Sequence, residues 1–248
     1  MTTPRTALVT GAARGIGLAV AGHLAAQGHR VLLADILPEV EAVARDLPGE
    51  THGYVTDLSR LDTIGSFVAT LTQAHGPIGI LVNNAGISPK HDGKRATFEA
   101  LELAEWQAVL DVNLTAAFLL CQAVLPGMRQ QGWGRIVNMA SQAARTRSLV
   151  AGFHYAASKA GLVGLSRTLA AEVGPDGITV NCIAPGRIDT PMAAEAGADV
   201  NAAYVATIPA SRIGTPEDIA AAVAYFASDA SGFVTGTVMD INGGHFMG

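Results

Sequence analysis

The feature that most constrains the fold is an alternation of short apolar runs with longer amphipathic stretches. Seven runs are strand candidates: Ala7–Val9, Val31–Ala34, Gly53–Thr56, Ile78–Val82, Arg135–Met139, Ile178–Ile183 and Thr237–Ile241. Most are nearly continuous in apolar residues, as parallel strands covered on both faces must be. Right-handed crossovers between such strands predict an α/β fold, a doubly wound parallel sheet of about seven strands with helices on both faces.

The longer stretches between the strands have helical periodicity. The clearest examples are Ile16/Val20/Leu24, spaced four residues apart, and the segments Leu103–Gln131, Phe153–Val173 and Pro216–Ser228. No linker, charge block or low-complexity segment divides the chain, which predicts a single domain over residues 1–248. Residues 189–215 form the one long stretch without a clear strand or helix, and such a stretch is typical of a lid or binding loop.

Composition excludes several classes of protein. With 16 Lys+Arg against 21 Asp+Glu and no basic stripe, a nucleic-acid partner is not expected. The apolar run Ile219–Ala227 is about half of the roughly 18 residues that span a bilayer, and MTTPRTALVTG leaves no room for a secretory signal. We therefore expect a cytoplasmic protein with no membrane partner. Cys121 and Cys182 lack metal-binding spacing and are predicted to be buried small hydrophobes, with no metal site.

A glycine-rich turn, Thr10–Gly17, follows the first strand and opens the first amphipathic helix. Its pattern is G-x-x-x-G-x-G, with Gly11, Gly15 and Gly17 as the glycines and Arg14 and Ile16 between them. Glycines here let backbone N–H groups and the helix N-terminus approach a pyrophosphate. Taken alone, glycines between a strand and a helix are common, so the turn needs support from the following strands.

Polar residues end the next three strands. Asp35 comes 24 residues after Gly11, where a carboxylate can accept hydrogen bonds from an adenosine ribose and would repel a 2′-phosphate. Arg14 argues the other way, because a guanidinium could pair with that phosphate, yet the position of Asp35 favours NAD over NADP. Asp57 can accept from the adenine amino group. The amides of Asn83 and Asn84 either face the cofactor or form a structural Asx turn.

Six ordered motifs give the chain its specific resemblance. They are Thr10–Gly17, Asn83–Gly86, Asn113 with Ser141, Tyr155-Ala-Ala-Ser-Lys159, Pro185-Gly186 and Asp240–Gly244. Together they resemble the short-chain dehydrogenase/reductase family in its compact single-domain form, over essentially the whole chain. The resemblance implies a Rossmann-type fold, a nicotinamide cofactor and a small alcohol or carbonyl substrate.

Tyr155 and Lys159 carry the predicted chemistry. They are four residues apart in a helical segment, so their side chains share one face. A free phenol has a pKa near 10, and both an adjacent ammonium and the positive ring of oxidised nicotinamide favour its phenolate. Tyr155 could then serve as general acid/base toward the substrate oxygen. By resemblance, Lys159 also bonds the nicotinamide ribose.

Two more residues complete the predicted catalytic set. Ser141 ends the fifth strand, where its hydroxyl can hold the reacting oxygen. Its separation from Tyr155 is 14 residues, whereas the family usually has 13, and we expect the extra residue to bulge the loop Gln142–His154 while both side chains keep their places. Asn113 resembles the family's helix-interior asparagine, which binds a water linking Lys159 to solvent; the alternative is a polar residue that kinks the helix.

The segment after the sixth strand resembles the part of the family that packs against nicotinamide. Ile188 and Thr190 are the expected contacts to the carboxamide, which implies 4-pro-S hydride transfer. The predicted cofactor-binding residues are Gly11, Arg14, Gly15, Ile16, Gly17, Asp35, Asp57, Leu58, Asn84, Ala85, Gly86, Tyr155, Lys159, Pro185, Gly186, Ile188 and Thr190.

Substrate choice depends on three segments that should border the mouth: Ile87–Ala96, Gln142–His154 and Pro191–Ser211. The first two hold Lys90, Lys94, Arg95, Arg145 and Arg147, over a quarter of all Lys+Arg. This concentration favours a polar substrate, such as a polyol, sugar or hydroxy acid, although solvated loop charges would look the same. The small residues of Met192–Asp199 offer little wall for a bulky steroid.

Other functions stay open. The main alternative is a 3-oxoacyl-[acyl-carrier-protein] reductase, which would need basic docking helices, yet Ala123–Met128 and Gly174–Gly177 supply Pro126 and Asp176. A non-catalytic NAD-binding regulator would not need Ser141, Tyr155 and Lys159 together. By resemblance we expect a homotetramer, consistent with the small residues of Phe153–Val173 and the apolar end Gly243–Gly248.

Overall fold

A computed structural model describes residues 4–148, 150–194 and 203–248 of the chain. It contains one seven-stranded sheet in which all neighbouring pairs are parallel, with strand order β3-β2-β1-β4-β5-β6-β7. The strands are β1 (Thr6–Thr10), β2 (Arg30–Asp35), β3 (Thr51–Val55), β4 (Ile78–Asn83), β5 (Gly134–Met139), β6 (Ile178–Pro185) and β7 (Val238–Ile241). All seven predicted strands are confirmed.

Helices connect the strands as crossovers. They are α1 (Gly15–Ala26), α2 (Val40–Asp46), α3 (Ile64–His75), α4 (Leu103–Leu110), α5 (Ala116–Gln131), α6 (Phe153–Val173), α7 (Pro191–Ala194) and α8 (Pro216–Ala227). The predicted lid at 189–215 holds α7, and its residues 195–202, with most of Met192–Asp199, lie outside the described residues.

Both faces of the sheet are covered. Side chains of alternate strand residues enter two separate cores: Ala7 and Val9 pack with α1, α2 and α8, while Leu8 packs with α3, α5 and α6. Burial on both faces is why the strands read as continuous apolar runs. The predicted doubly wound Rossmann-type α/β fold is confirmed.

The strand order creates the place where a ligand can bind. After β3 the chain returns past β1 to form β4 on its other side, so the connections that leave β1 and β4 diverge. A crevice opens at the carboxyl ends of the strands at such a switch point. The glycine-rich turn and the segment Asn84–Gly86 flank it.

The predicted helix Leu103–Gln131 is one continuous run interrupted by a single π-helical turn, Asp111–Thr115, between α4 and α5. By length and composition alone, this run is long and apolar enough to cross a membrane. Core helices of globular proteins pass the same test, and its residues Ala116, Leu120 and Val124 pack in the core beside the sheet.

Candidate active site

A cleft of about 930 Å³ runs along the carboxyl edge of the sheet. It is lined by Ser141 and by every predicted cofactor-binding residue except Gly17. Asn113 is also absent from the lining. Two predicted site residues, Gly17 and Asn113, therefore do not line the cleft. Both the glycine-rich turn and the pair Ser141 and Tyr155 contribute to this one cleft.

The glycine-rich turn fits a pyrophosphate. Gly11 and Gly15 have φ of +65° and +56°, a conformation that side chains with a Cβ rarely adopt. Helix α1 starts without a side-chain hydrogen bond from its N-cap residue, Arg14, and has no acidic residue in its first turn. Its first N–H groups and its positive dipole end therefore face the cleft without an anionic side chain to satisfy them.

Gly17 is required for packing and does not line the cleft. A Cβ at this position would lie 2.1 Å from the Gly11 carbonyl oxygen and 2.7 Å from Nδ2 of Asn84. The third glycine therefore lets the start of α1 sit directly on the turn that precedes it.

We expect Gly17→Ala to lower the free energy of unfolding by about 3 kcal/mol, because no rearrangement short of moving the turn relieves that overlap. It should also weaken nucleotide binding, since the turn holds the start of α1. Urea unfolding and titration with NADH would measure both effects. Gly65→Ala is the matched control: nothing lies within 4 Å of its Cβ position on α3, so stability should rise by up to about 1 kcal/mol. Equal stability of the Gly17 and Gly65 variants would contradict the packing role.

The side chains of Asn84 and Asn83 form hydrogen bonds in two different places. Asn84 lines the cleft, but its Nδ2 donates to the carbonyl oxygens of Thr10 and Gly11 at 2.9 and 3.0 Å. It thereby joins the end of β4 to the glycine-rich turn, rather than forming an Asx turn on its own backbone. Asn83 is 4% exposed and donates to Oδ1 of Asn138 at 2.7 Å inside the core.

Asp35 also has structural bonds. Its two carboxylate oxygens accept from the backbone N–H groups of Ala13, at 2.9 Å, and Leu37, at 3.0 Å. The side chain thus holds the glycine-rich turn against β2 while still lining the cleft. Arg14 is exposed at the rim of the cleft. Asp57 lines the cleft too, and its hydrogen bonds with Ser59 lower the pKa of its carboxyl group.

Ser141, Tyr155 and Lys159 line the same cleft. The Ser141 side chain lies near enough to the Tyr155 hydroxyl to affect its pKa, so the extra residue between them does not separate them. The Nζ atom of Lys159 lies 5.7 Å from the centre of the Tyr155 ring and donates to the Met139 carbonyl oxygen at 2.7 Å.

The two ionisable groups are shifted by burial. Desolvation raises the pKa of Tyr155, and the nearby Ser141 side chain opposes that rise. Desolvation also lowers the pKa of Lys159 to about 8. The Tyr155 pKa is thus raised in this structure, and its lowering by Lys159 stays a prediction for the complex with oxidised nicotinamide.

Asn113 sits in the π-helical turn and is 1% exposed. Its Oδ1 accepts from the Ile87 N–H at 2.8 Å, while its Nδ2 donates to the Ile87 carbonyl and to Oγ of Ser158. It joins the loop after β4 to helix α6, one residue from Lys159. Its role in binding a water stays a prediction.

The basic loop residues do not all face the cleft. Lys90 and Arg147 line it, and Lys90 donates to the Val150 carbonyl oxygen. Arg145 instead pairs with Asp240 at 3.1 Å, outside the lining residues. This corrects the expectation that the whole basic group borders the mouth. In the loop Gln142–His154, Leu149 lies outside the described residues.

Several residues of the cleft wall were not predicted from the sequence. Arg187, Tyr204, His245 and Phe246 all line it. Arg187 donates to the Ala193 carbonyl at 2.6 Å and lies 5.5 Å from the Tyr204 ring, so it connects α7 to the second part of the lid. The one sequence signal that could have identified Arg187 is its position three residues before Thr190.

Both cysteines are free and buried, as predicted. Away from the cleft, the ligand atoms of Glu50, His52 and His75 lie within 4.8 Å of one another. Arg30 pairs with Glu50 and the Tyr54 hydroxyl bonds His75, so protein groups already engage two of the three.

Comparison with known proteins agrees with this geometry. A family model described as enoyl-(acyl carrier protein) reductase matches residues 11–245. An uncharacterised short-chain type dehydrogenase/reductase of Sinorhizobium fredii is 40% identical over 252 residues, covering 97% of this chain and 96% of the relative.

Two solved structures are also similar. A 3-oxoacyl-[acyl-carrier protein] reductase of Brucella melitensis with bound NAD is 38% identical, with a TM-score of 0.91, over 98% of this chain and 92% of that one. A candidate NAD(P)-dependent gluconate 5-dehydrogenase of Beutenbergia cavernae, with NADP at low occupancy, is 39% identical, with a TM-score of 0.90, over 97% and 96%. The chain belongs to the short-chain dehydrogenase/reductase family of oxidoreductases.

Proposed function

We propose that this oxidoreductase transfers a hydride between a nicotinamide cofactor and the CH–OH carbon of a secondary alcohol, or the carbon of the matching ketone. One observation carries the proposal: a phenol beside a serine side chain lines the same cleft as a glycine-rich helix start. A dinucleotide whose pyrophosphate lay on that turn would extend along the cleft toward Tyr155.

When bound, the nicotinamide supplies or accepts the hydride. The chain supplies the proton: Tyr155 gives its phenolic proton to the carbonyl oxygen during reduction and takes it back during oxidation. Ser141 holds the same oxygen through its hydroxyl and stabilises the charge that develops there. Lys159 favours the phenolate by its positive charge, and its pKa near 8 lets it exchange protons near neutral pH.

We propose NAD as the preferred cofactor. The Asp35 carboxylate stands at the end of β2, where it would accept from a ribose hydroxyl and repel a 2′-phosphate. Each carboxylate oxygen of Asp35 accepts one backbone N–H, from Ala13 or from Leu37. A carboxylate oxygen can accept more than one hydrogen bond, so both oxygens can still accept from a ribose hydroxyl. Arg14, exposed at the rim, is the group that would favour NADP.

For the substrate we propose a small polar hydroxy compound. The lining of the cleft includes Ser88, Lys90, Gln142, Arg147 and Ser148, which offer hydrogen bonds and positive charge. The similar gluconate 5-dehydrogenase candidate is named for a compound of this class.

A 3-oxoacyl thioester on an acyl carrier protein is the second candidate, because the similar Brucella melitensis structure carries that name over 98% of this chain. The segments Ala123–Met128 and Gly174–Gly177 lie in the connections that lead into β5 and β6, at the ends of these strands opposite the cleft. The nearby Arg129 is paired with Glu172 and Asp176. The charges of these two segments and of Arg129 therefore do not distinguish a carrier-linked thioester from a small substrate in the cleft of the same subunit.

The test follows absorbance of reduced nicotinamide with NAD and NADP offered separately. The panel contains gluconate, polyols, aldoses, other hydroxy acids, simple secondary alcohols and acetoacetyl-CoA, each run in the direction its oxidation state allows. We expect turnover of a polyhydroxy compound, with kcat/KM higher for NAD. Preference for acetoacetyl-CoA with NADPH would make the carrier-linked reductase the better assignment. NAD binding without turnover of any compound would indicate a regulator.

We also propose that the whole chain is one dinucleotide-binding domain and that it works as a cytoplasmic homotetramer. Helix α6 presents the small exposed residues Ala157, Ala160 and Gly164, over which a second helix could pack closely. Gly161 does not belong to this face, because its Cβ position lies 2.8 Å from Leu114 of the same subunit. A monomeric mass by light scattering would refute the assembly.

A further inference from the structure

One carboxylate stands between two histidines beside the predicted catalytic tyrosine. Glu105, in the first turn of α4, bonds Nε2 of His154 through Oε1 at 2.8 Å and Nε2 of His91 through Oε2 at 2.8 Å. His154 belongs to α6 and His91 to the loop 87–96, which lies between β4 and α4. Glu105 therefore joins three segments, two of which contribute to the cleft.

His154 caps the helix that carries Tyr155. The N-cap residue of α6 is Gly152, which has no side chain to satisfy the first N–H groups. Nδ1 of His154 takes over that role and accepts from the Tyr155 backbone N–H at 2.7 Å. The glycine makes this possible, since a Cβ at Gly152 would lie 2.5 Å from Cε1 of the imidazole ring.

The bonds of His154 define its tautomer. Because Nδ1 accepts, the proton of the neutral ring is on Nε2, which donates to Glu105. The side chain is 2% exposed, so neither bond is readily replaced by water. Each ring nitrogen thus has one partner: the backbone of Tyr155 on one side and the carboxylate of α4 on the other.

His91 connects the same carboxylate to the cleft loop. It forms a small antiparallel bridge with Lys94, through N–H···O bonds of 2.7 and 3.0 Å. Ser88 and Lys90, on the segment leading to His91, line the cleft. The Glu105–His91 bond is more exposed than the His154 bond, with 57% of the His91 side chain accessible.

We propose that His154 is a positioning residue for Tyr155, and that Glu105, through its bond to His91, positions the loop that contacts substrate. The proposal rests on the proposed function of Tyr155 as the proton donor. His154 restrains the backbone N–H of the residue whose hydroxyl must meet the reacting oxygen, and errors of about 1 Å in such positions can lower rates about 100-fold. His91 acts on the loop alone, so it should affect substrate binding rather than the chemical step.

Two near-isosteric variants separate the two nitrogens of His154. His154→Asn places an amide oxygen near the position of Nδ1 and keeps an acceptor for the Tyr155 N–H, while losing the bond to Glu105. His154→Gln places its amide nitrogen near Nε2 and keeps a donor to Glu105, while losing the acceptor. If the cap positions Tyr155, His154→Gln should lower kcat about tenfold with KM nearly unchanged, and His154→Asn should stay within about threefold of wild type. His91→Ala should raise KM about fivefold with kcat retained, by loss of loop contacts.

Hydrogen exchange at single-residue resolution supplies a readout that needs no substrate. In the folded full-length chain, exchange of the Tyr155 amide should be at least about fivefold faster in His154→Gln than in His154→Asn, because only the first loses the acceptor. Equal exchange in the two variants, or equal kcat wherever wild type turns over a panel compound, would overturn the positioning role. A purely structural role predicts lower Tm in both variants with kcat unchanged. Failure of the proposed function is seen separately, as wild-type inactivity on the whole panel while the exchange difference persists.

Discussion

Replacement of Tyr155 by phenylalanine is expected to lower kcat about 1,000-fold on whichever panel compound the wild type turns over. The substitution removes one hydroxyl group, and with it the proton that must reach the substrate oxygen; general acid/base groups typically contribute 10²–10⁴ in rate. The ring stays in place, so KM for the cofactor and Tm should change little. Ser141 keeps the hydrogen bond that it accepts from the Ala143 N–H at 3.1 Å.

Stopped-flow or steady-state absorbance of NADH measures kcat, and NADH fluorescence measures cofactor binding. Tyr204→Phe is the matched control: it removes the same group from another tyrosine of the same cleft, and kcat should stay within about threefold of wild type. Activity of Tyr155→Phe within tenfold of wild type would exclude Tyr155 as the essential acid/base.

Replacement of Lys159 by methionine is expected to lower kcat strongly and to stabilise the protein. Lys159 is 3% exposed, and its pKa of about 8 against 10.5 for a free side chain means that burial of the charge costs about 3 kcal/mol at pH 7. Methionine fits a similar volume without a charge but leaves the Met139 carbonyl without its donor, which costs about 1 kcal/mol. We therefore expect a net gain of about 1–2 kcal/mol, with a higher Tm, alongside a loss of kcat comparable to that of Tyr155→Phe.

The pH dependence of this gain follows from linkage. Between about pH 8 and pH 10.5 the unfolded wild type binds more protons at Lys159 than the folded protein, so wild-type stability rises with pH in that window. The methionine variant lacks this rise, and the stability difference should be largest below pH 8 and shrink toward pH 10. Urea unfolding at pH 7 and pH 9.5 measures it. The exposed Lys94→Met is the control and should change stability by less than about 0.5 kcal/mol at both pH values. A Lys159→Met variant less stable than wild type at pH 7 would show that the buried charge of Lys159 does not destabilise the folded protein.

The sequence alone determined the sheet, its helices and the order of the site motifs. Strands buried on both faces must be apolar along their length, and helices must repeat their apolar positions every three or four residues, so local patterns report these elements directly. Tyr155 and Lys159 could be placed on one face for the same reason, because one helical turn separates them.

The hydrogen-bond and ion-pair partners of the polar side chains follow from the tertiary packing and could not be predicted from the sequence. Asn84 bonds the carbonyls of Thr10 and Gly11, more than 70 residues away, and Arg145 pairs with Asp240, 95 residues away. His154 meets a carboxylate 49 residues distant, on Glu105. The long side chains can reach many groups, and no local period records which one they meet. The packing of remote segments selects the partner, and a buried polar group must then be satisfied by what that packing brings near.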